Sequence, residues 1–139
     1  MKRLYPLFMA FLFVLSTTET RASNILKRAE RLPEIQIDGV SGFSVRELTL
    51  VAGNFYRLKM TSDGKDEYLV TSSNGFFQSI FVNEVVVNDL EIKTTSIWGL
   101  EYDDDGSIEV FFVPMRVGKY SIGIQGLTPD GFITHISVQ

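Results

Sequence analysis

The sequence predicts an all-β, antiparallel sandwich, and three observations carry that prediction. From Ile35 onward apolar and polar residues alternate with a period of two, the mark of half-buried strands. Glycine, asparagine and aspartate clusters break the chain at about the 8–12-residue spacing of a sandwich, leaving eight or nine short strands. The 139 residues include no cysteine, so an apolar core must hold the fold without disulfides.

Residues 1–22 read as an address rather than as part of that fold. Lys2 and Arg3 precede an apolar run from Leu4 to Leu15, and Thr20 and Ala22 are the small residues before a cut that leaves Ser23 first. The run has 12 residues, interrupted by Pro6, and falls short of the roughly 18 to 20 that cross a bilayer core. The expectation is an export signal, a periplasmic or secreted chain, and no membrane-spanning segment after removal. Residues 23–33 form a short helix or an ordered arm ended by Leu32-Pro33, since the residue before proline avoids the helical region. Residues 34–139 are then one domain, large enough to bury a core.

Within that domain, EIQID places Ile35 and Ile37 on one face. NFYRLKM sets Tyr56, Leu58 and Met60 against Arg57 and Lys59. TSDGKD and SNG are turns before EYLVTSS and FFQSIFVNEVVVND. In FFQSIF the apolar residues Phe76, Phe77, Ile80 and Phe81 have helical spacing, which predicts one helical turn before the β-branched run Val85 to Val87. SIWGLEY, SIEVFFVPM, GKYSIGIQG and GFITHISVQ complete the strands.

Loss of residues 1–22 removes Lys2, Arg3, Arg21 and Glu19. It leaves 10 basic against 16 acidic side chains, a net charge near −6 that makes nucleic acid a poor partner. The basic residues cluster early and the acidic ones late, so the surface is expected to be weakly dipolar.

Two stretches resemble landmarks of the cupredoxins, the Greek-key β-sandwich of small blue copper proteins and copper oxidase domains. ELTLVAGNFYRLKMTSDGKDEYLV resembles the family's strand, Ala-Gly turn, second strand and His-bearing turn. VFFVPMRVGKYSIGIQG with GFITHISVQ resembles its Gly-Thr-Tyr-x-x-x-Cys strand, ligand loop and last strand. Gly118 and Tyr120 fall on the family's glycine and tyrosine, and the period of two then puts Tyr120, Ile122 and Ile124 on the core face. The resemblance implies a copper site of two imidazoles, a thiolate and an axial thioether. Here Asp66 stands at the first histidine, Ile124 at the cysteine and Phe132 at the axial methionine, and QGLTPDG has no histidine. No cofactor is expected. The single histidine, His135, alternates out of phase with Phe132, Ile136 and Val138, and is expected to face solvent.

Other constellations are weaker. Glu101, Asp103, Asp105 and Gly106 match the first, third, fifth and sixth positions of an EF-hand loop, but the twelfth is Phe112 and no helices flank it. An acidic turn explains the same residues. Asp66 and Glu67 point to opposite faces, and no thiolate nucleophile or GxSxG elbow exists, so no enzymatic activity is expected. Aromatic residues make up 12% of the chain, and Phe76, Phe77, Phe81, Trp98 and Tyr102 lie where the cupredoxin landmarks stop or are sparse. They are either core or an exposed patch for a protein partner. The expected function is therefore a copper-free, protein-binding accessory or assembly module of an exported redox system. The alternative is a metal-handling protein that takes copper or calcium weakly through carboxylates.

Overall fold

The computed structural model describes residues 27–139, and the export signal expected at residues 1–22 lies outside them. The strands are β1 (Glu30–Arg31), β2 (Ile35–Asp38), β3 (Gly42–Phe43), β4 (Glu47–Leu50), β5 (Tyr56–Asp63), β6 (Tyr68–Thr71), β7 (Ile80–Val87), β8 (Leu90–Ile92), β9 (Gly99–Tyr102), β10 (Asp105–Pro114), β11 (Gly118–Ile124) and β12 (Ile133–Val138). Among the described residues they form two sheets. The first runs β3-β2-β5-β10-β7-β8, with β1 also beside β5, and the second runs β4-β12-β11-β6-β9.

The core lies between the sheets because alternation puts one face of each strand inward. In β5, Tyr56, Leu58 and Met60 are buried while Arg57, Lys59 and Thr61 stand half-exposed on the other side. Arg57 reaches across the ladder to Glu109 in a forked ion pair, with Nε donating at 2.6 Å. The guanidinium also lies 5.9 Å above the Phe111 ring. Burial of Ile35, Met60, Val70, Val82, Ile122 and Ile136 supplies the apolar transfer that holds the sandwich without cross-links.

The sandwich is mixed rather than purely antiparallel. β1 and β2 run parallel to β5, and β4 runs parallel to β12. The β2–β3 pair is an antiparallel hairpin, but the chain changes sheets between β3 and β4 and again between β4 and β5, so the parallel pairs are reached by crossovers. The described part of the arm, residues 27–33, contains no helical turn. β1 pairs with β5, and Pro33, which has no N–H to donate, separates it from β2. The helical spacing of FFQSIF becomes a single 3-10 turn at Phe77–Ser79, where the Ser79 hydroxyl donates to the Gly75 carbonyl at 2.8 Å.

Gly118 and Tyr120 are explained by packing. A Cβ on Gly118 would sit 3.1 Å from the Tyr120 hydroxyl and 3.2 Å from its ring, and φ there is 153°. The phenol donates back to the Arg116 carbonyl at 3.3 Å, closing the turn between β10 and β11.

Candidate functional site

The strand ladders bring five separated turns to one end of the sandwich. Asp105 pairs with Asp63, Ile37 with Ser62, Val87 with Ile108, Tyr68 with Tyr102 and Gly123 with Ile133. The turns beyond those pairs therefore share a face, and each carries a carboxylate. Asp38 opens the β2–β3 turn. Asp63, Asp66 and Glu67 bound the β5–β6 turn, and Asp89 lies between β7 and β8. Asp103 to Asp105 join β9 to β10, and Asp130 lies between β11 and β12. This rim was not read from the sequence. Acidic turn residues were visible one by one, but that their turns share one end needs the topology.

Beneath the rim the end is filled. Ile124 is 7% exposed and Phe132 4%. They are joined through the backbone, the Ile124 N–H donating to the Phe132 carbonyl at 3.0 Å. Tyr68 stacks on Phe132 with ring centroids 6.0 Å apart, and Phe43 meets the same ring edge-on, also at 6.0 Å. The three aromatic rings and Ile124 belong to one buried core cluster. Gly42 allows the closeness: its φ is 79°, and a Cβ there would lie 2.5 Å from the Gly131 carbonyl oxygen. Arg46 straps the same loops, donating to the carbonyls of Gly131 and Ser41.

Asp66 is exposed, accepts the Glu67 N–H at 2.9 Å, and borders a shallow hollow whose floor is Tyr68 and Phe132. Asp66, Ile124 and Phe132 therefore lie at one end of the sandwich. The residues present do not fit type 1 copper. The chain has no thiolate, and its only imidazole, His135, is on the outer face of β12 beside Glu47 in register.

Lys65 ties the rim together. Its ammonium meets Asp63 at 3.0 Å and Asp38 at 3.2 Å, which raises its pKa. Asp63 also accepts the Gly39 N–H at 2.8 Å and the Tyr68 hydroxyl at 3.1 Å. With the Gly39 bond leading, these hold its carboxyl well below the usual range. Asp38 accepts the N–H groups of Ser41 at 2.8 Å and Val40 at 3.0 Å and is lowered to about 2. Glu101, Asp103 and Asp105 are exposed, and Phe112 at the twelfth EF-hand position is 1% exposed in the core. No three His, Cys, Asp or Glu side chains converge among the described residues.

The aromatic candidates divide. Phe76, Phe77 and Tyr102 are core and not a contact patch. Phe76 meets Phe112 and Tyr120 at 5.8 Å, the 3-10 turn tucks Phe77 beneath it, and the Tyr102 hydroxyl donates to the Met60 carbonyl at 3.1 Å. Burial pushes the Tyr102 phenol far above its usual range. Phe81 is half-buried on β7. Trp98 is 67% exposed, on the segment joining β8 to β9, with Leu90 at 70% and Ile92 at 52% on the β8 side of it. Leu90 and Ile92 were missed. The signal was NDLEIK, a hairpin turn followed by a short strand that ends the sheet.

No protein-family model and no curated protein sequence matches the chain. Solved structures do. The laccase-like multicopper oxidase CueO of Ochrobactrum sp. aligns with 80% of the chain at a TM-score of 0.60 and 9% identity, using 31% of its own length. The multicopper oxidase of Pseudomonas thermotolerans aligns with 80% at 0.57 and 14% identity, using 30% of its length. Auracyanin B aligns with 81% at 0.52 and 16% identity, over 91% of its length. The chain thus spans about three tenths of the multicopper oxidases it matches. The fold is that of the cupredoxins, in a chain that lacks their copper ligands.

Proposed function

We propose that this chain is an exported, non-enzymatic cupredoxin-like module that binds another protein, as an accessory or assembly subunit of a redox system outside the cytoplasm. The observation that carries the reading is the division of the aromatics. At the copper end they are buried as a Phe43–Phe132–Tyr68 stack, whereas Trp98 stands 67% exposed with Leu90 and Ile92 on the same segment. A stack of that kind keeps a sandwich rigid and leaves no room for a redox centre. An exposed indole, with exposed aliphatic side chains along the same segment, supplies an apolar anchor for a protein interface. The redox setting is an analogy from the copper oxidases and auracyanin that share the fold.

The test is recovery of partners from the source cells with a tagged full-length chain, comparing Trp98→Ala with Val40→Ala. Val40 is 85% exposed at the loop end and serves as the control. A defined protein retained with Val40→Ala and lost with Trp98→Ala is expected. Recovery indifferent to Trp98 contradicts the reading. The second reading, weak cation binding through carboxylates, finds no three of them converging among the described residues, and predicts a bound metal that Asp66→Ala or Asp105→Ala lowers.

A further inference from the structure

The β7–β8 hairpin decides what its own edge can accept. Asn88 and Asp89 both have positive φ, 50° and 64°, and Val87 pairs with Leu90, which together define a two-residue type I′ turn. Such a turn is closed by a hydrogen-bonded pair, so Val87–Leu90 and Val85–Ile92 exchange backbone bonds and Val86–Glu91 do not. The N–H and C=O of Glu91, and by the same alternation those of Lys93, therefore project from the open edge of the first sheet. Ile92 shares a face with buried Val85 yet is 52% exposed on the last strand of the sheet.

From this edge we infer that β8 pairs with β8 of a second copy of the chain, antiparallel about a two-fold axis through Ile92. The inference rests on reading the 90–98 segment as a protein-contact surface, and names the occupant of its β8 part. In that register Glu91 of each copy faces Lys93 of the other as a hydrogen-bonded pair, and the two Ile92 side chains meet at the centre. The charges decide in favour of a like copy. An edge bearing one sign repels itself, whereas Glu91 and Lys93 flank Ile92 with opposite signs and become complementary when the strand is inverted. Within one copy Lys93 already meets Glu84 and Glu91 on that face, so its ammonium is held where the second Glu91 arrives.

The absence of cysteine from the sequence makes the register directly measurable. A non-hydrogen-bonded antiparallel pair brings Cα atoms to about 4.5 Å, inside the roughly 4.4–6.8 Å that a disulfide spans. Full-length Ile92→Cys is expected to oxidise to a covalent dimer, while Val40→Cys, exposed at the loop end, does not. Sedimentation of the full-length chain is expected to show a concentration-dependent doubling of mass. Glu91→Lys, which opposes like charges twice, should weaken association roughly tenfold. The apolar stretch Leu4 to Leu15 can itself bring chains together, so the link at position 92 is the deciding readout. Equal linking at positions 92 and 40, or association unaffected by Glu91→Lys, overturns the pairing. A monomer that still binds another protein through Trp98 overturns the pairing and leaves the proposed function standing. A linked dimer that recovers no other protein does the reverse.

Discussion

The loop end and the segment from Leu90 to Trp98 use the same kinds of side chain in opposite ways. At the loop end Phe43, Tyr68 and Phe132 lie under a rim of turns in which every turn carries a carboxylate, and the rings are 1–4% exposed. Along the segment, Leu90, Ile92 and Trp98 stand 52–70% exposed. Aromatic content alone therefore says nothing about contact. What separates the regions is position: the three rings lie in the core between the sheets, whereas Leu90 and Ile92 are on an edge strand and Trp98 is on the connection that follows it.

Four substitutions and one titration probe this contrast. If the loop end is core, Phe132→Ala should cost about 3–5 kcal/mol in denaturant unfolding, because it leaves a cavity between Tyr68, Phe43 and Ile124. Gly118→Val should cost about 1–3 kcal/mol by the same measurement, from backbone strain and a clash with the Tyr120 ring. Tyr68→Phe removes a bond to Asp63 while keeping the stack, and should cost about 1 kcal/mol. Trp98→Ala should change stability by no more than about 0.5 kcal/mol, although it removes the proposed partner contact. A large loss of stability in Trp98→Ala would show that the segment is packed after all.

The titration concerns the rim. Asp38 and Asp63 have folded-state pKa values below the roughly 3.9 of an unfolded aspartate, about 2 for Asp38 and shifted in the same direction for Asp63. Their contribution is complete above the unfolded value and is lost as the pH falls through the folded ones. Stability should therefore decline from near pH 4 toward pH 2. Asp63→Asn should flatten that decline, as seen in unfolding midpoints measured across the range.

Much of this was legible in the sequence. Alternation located the strands, and Tyr120, Ile122 and Ile124 do face inward. His135 does face outward, and Asp66, Ile124 and Phe132 lie at one end. The parallel pairings of β1, β2 and β4 were not legible, because crossover between sheets leaves no local pattern. FFQSIF was ambiguous for a physical reason: a 3-10 turn and an exposed amphipathic turn share its spacing, and burial of Phe76 and Phe77 depends on Phe112 and Tyr120, distant in sequence. The acidic rim was missed because its members sit in five turns that only the ladders bring together.

The central claim is that this fold keeps its frame and fills its metal position with packing. The most direct measurement is copper loading of the purified full-length chain, followed by desalting and metal analysis, with Asp66→Ala in parallel. The account predicts that copper washes out of both proteins alike. One copper retained per chain, and lost in Asp66→Ala, would contradict it.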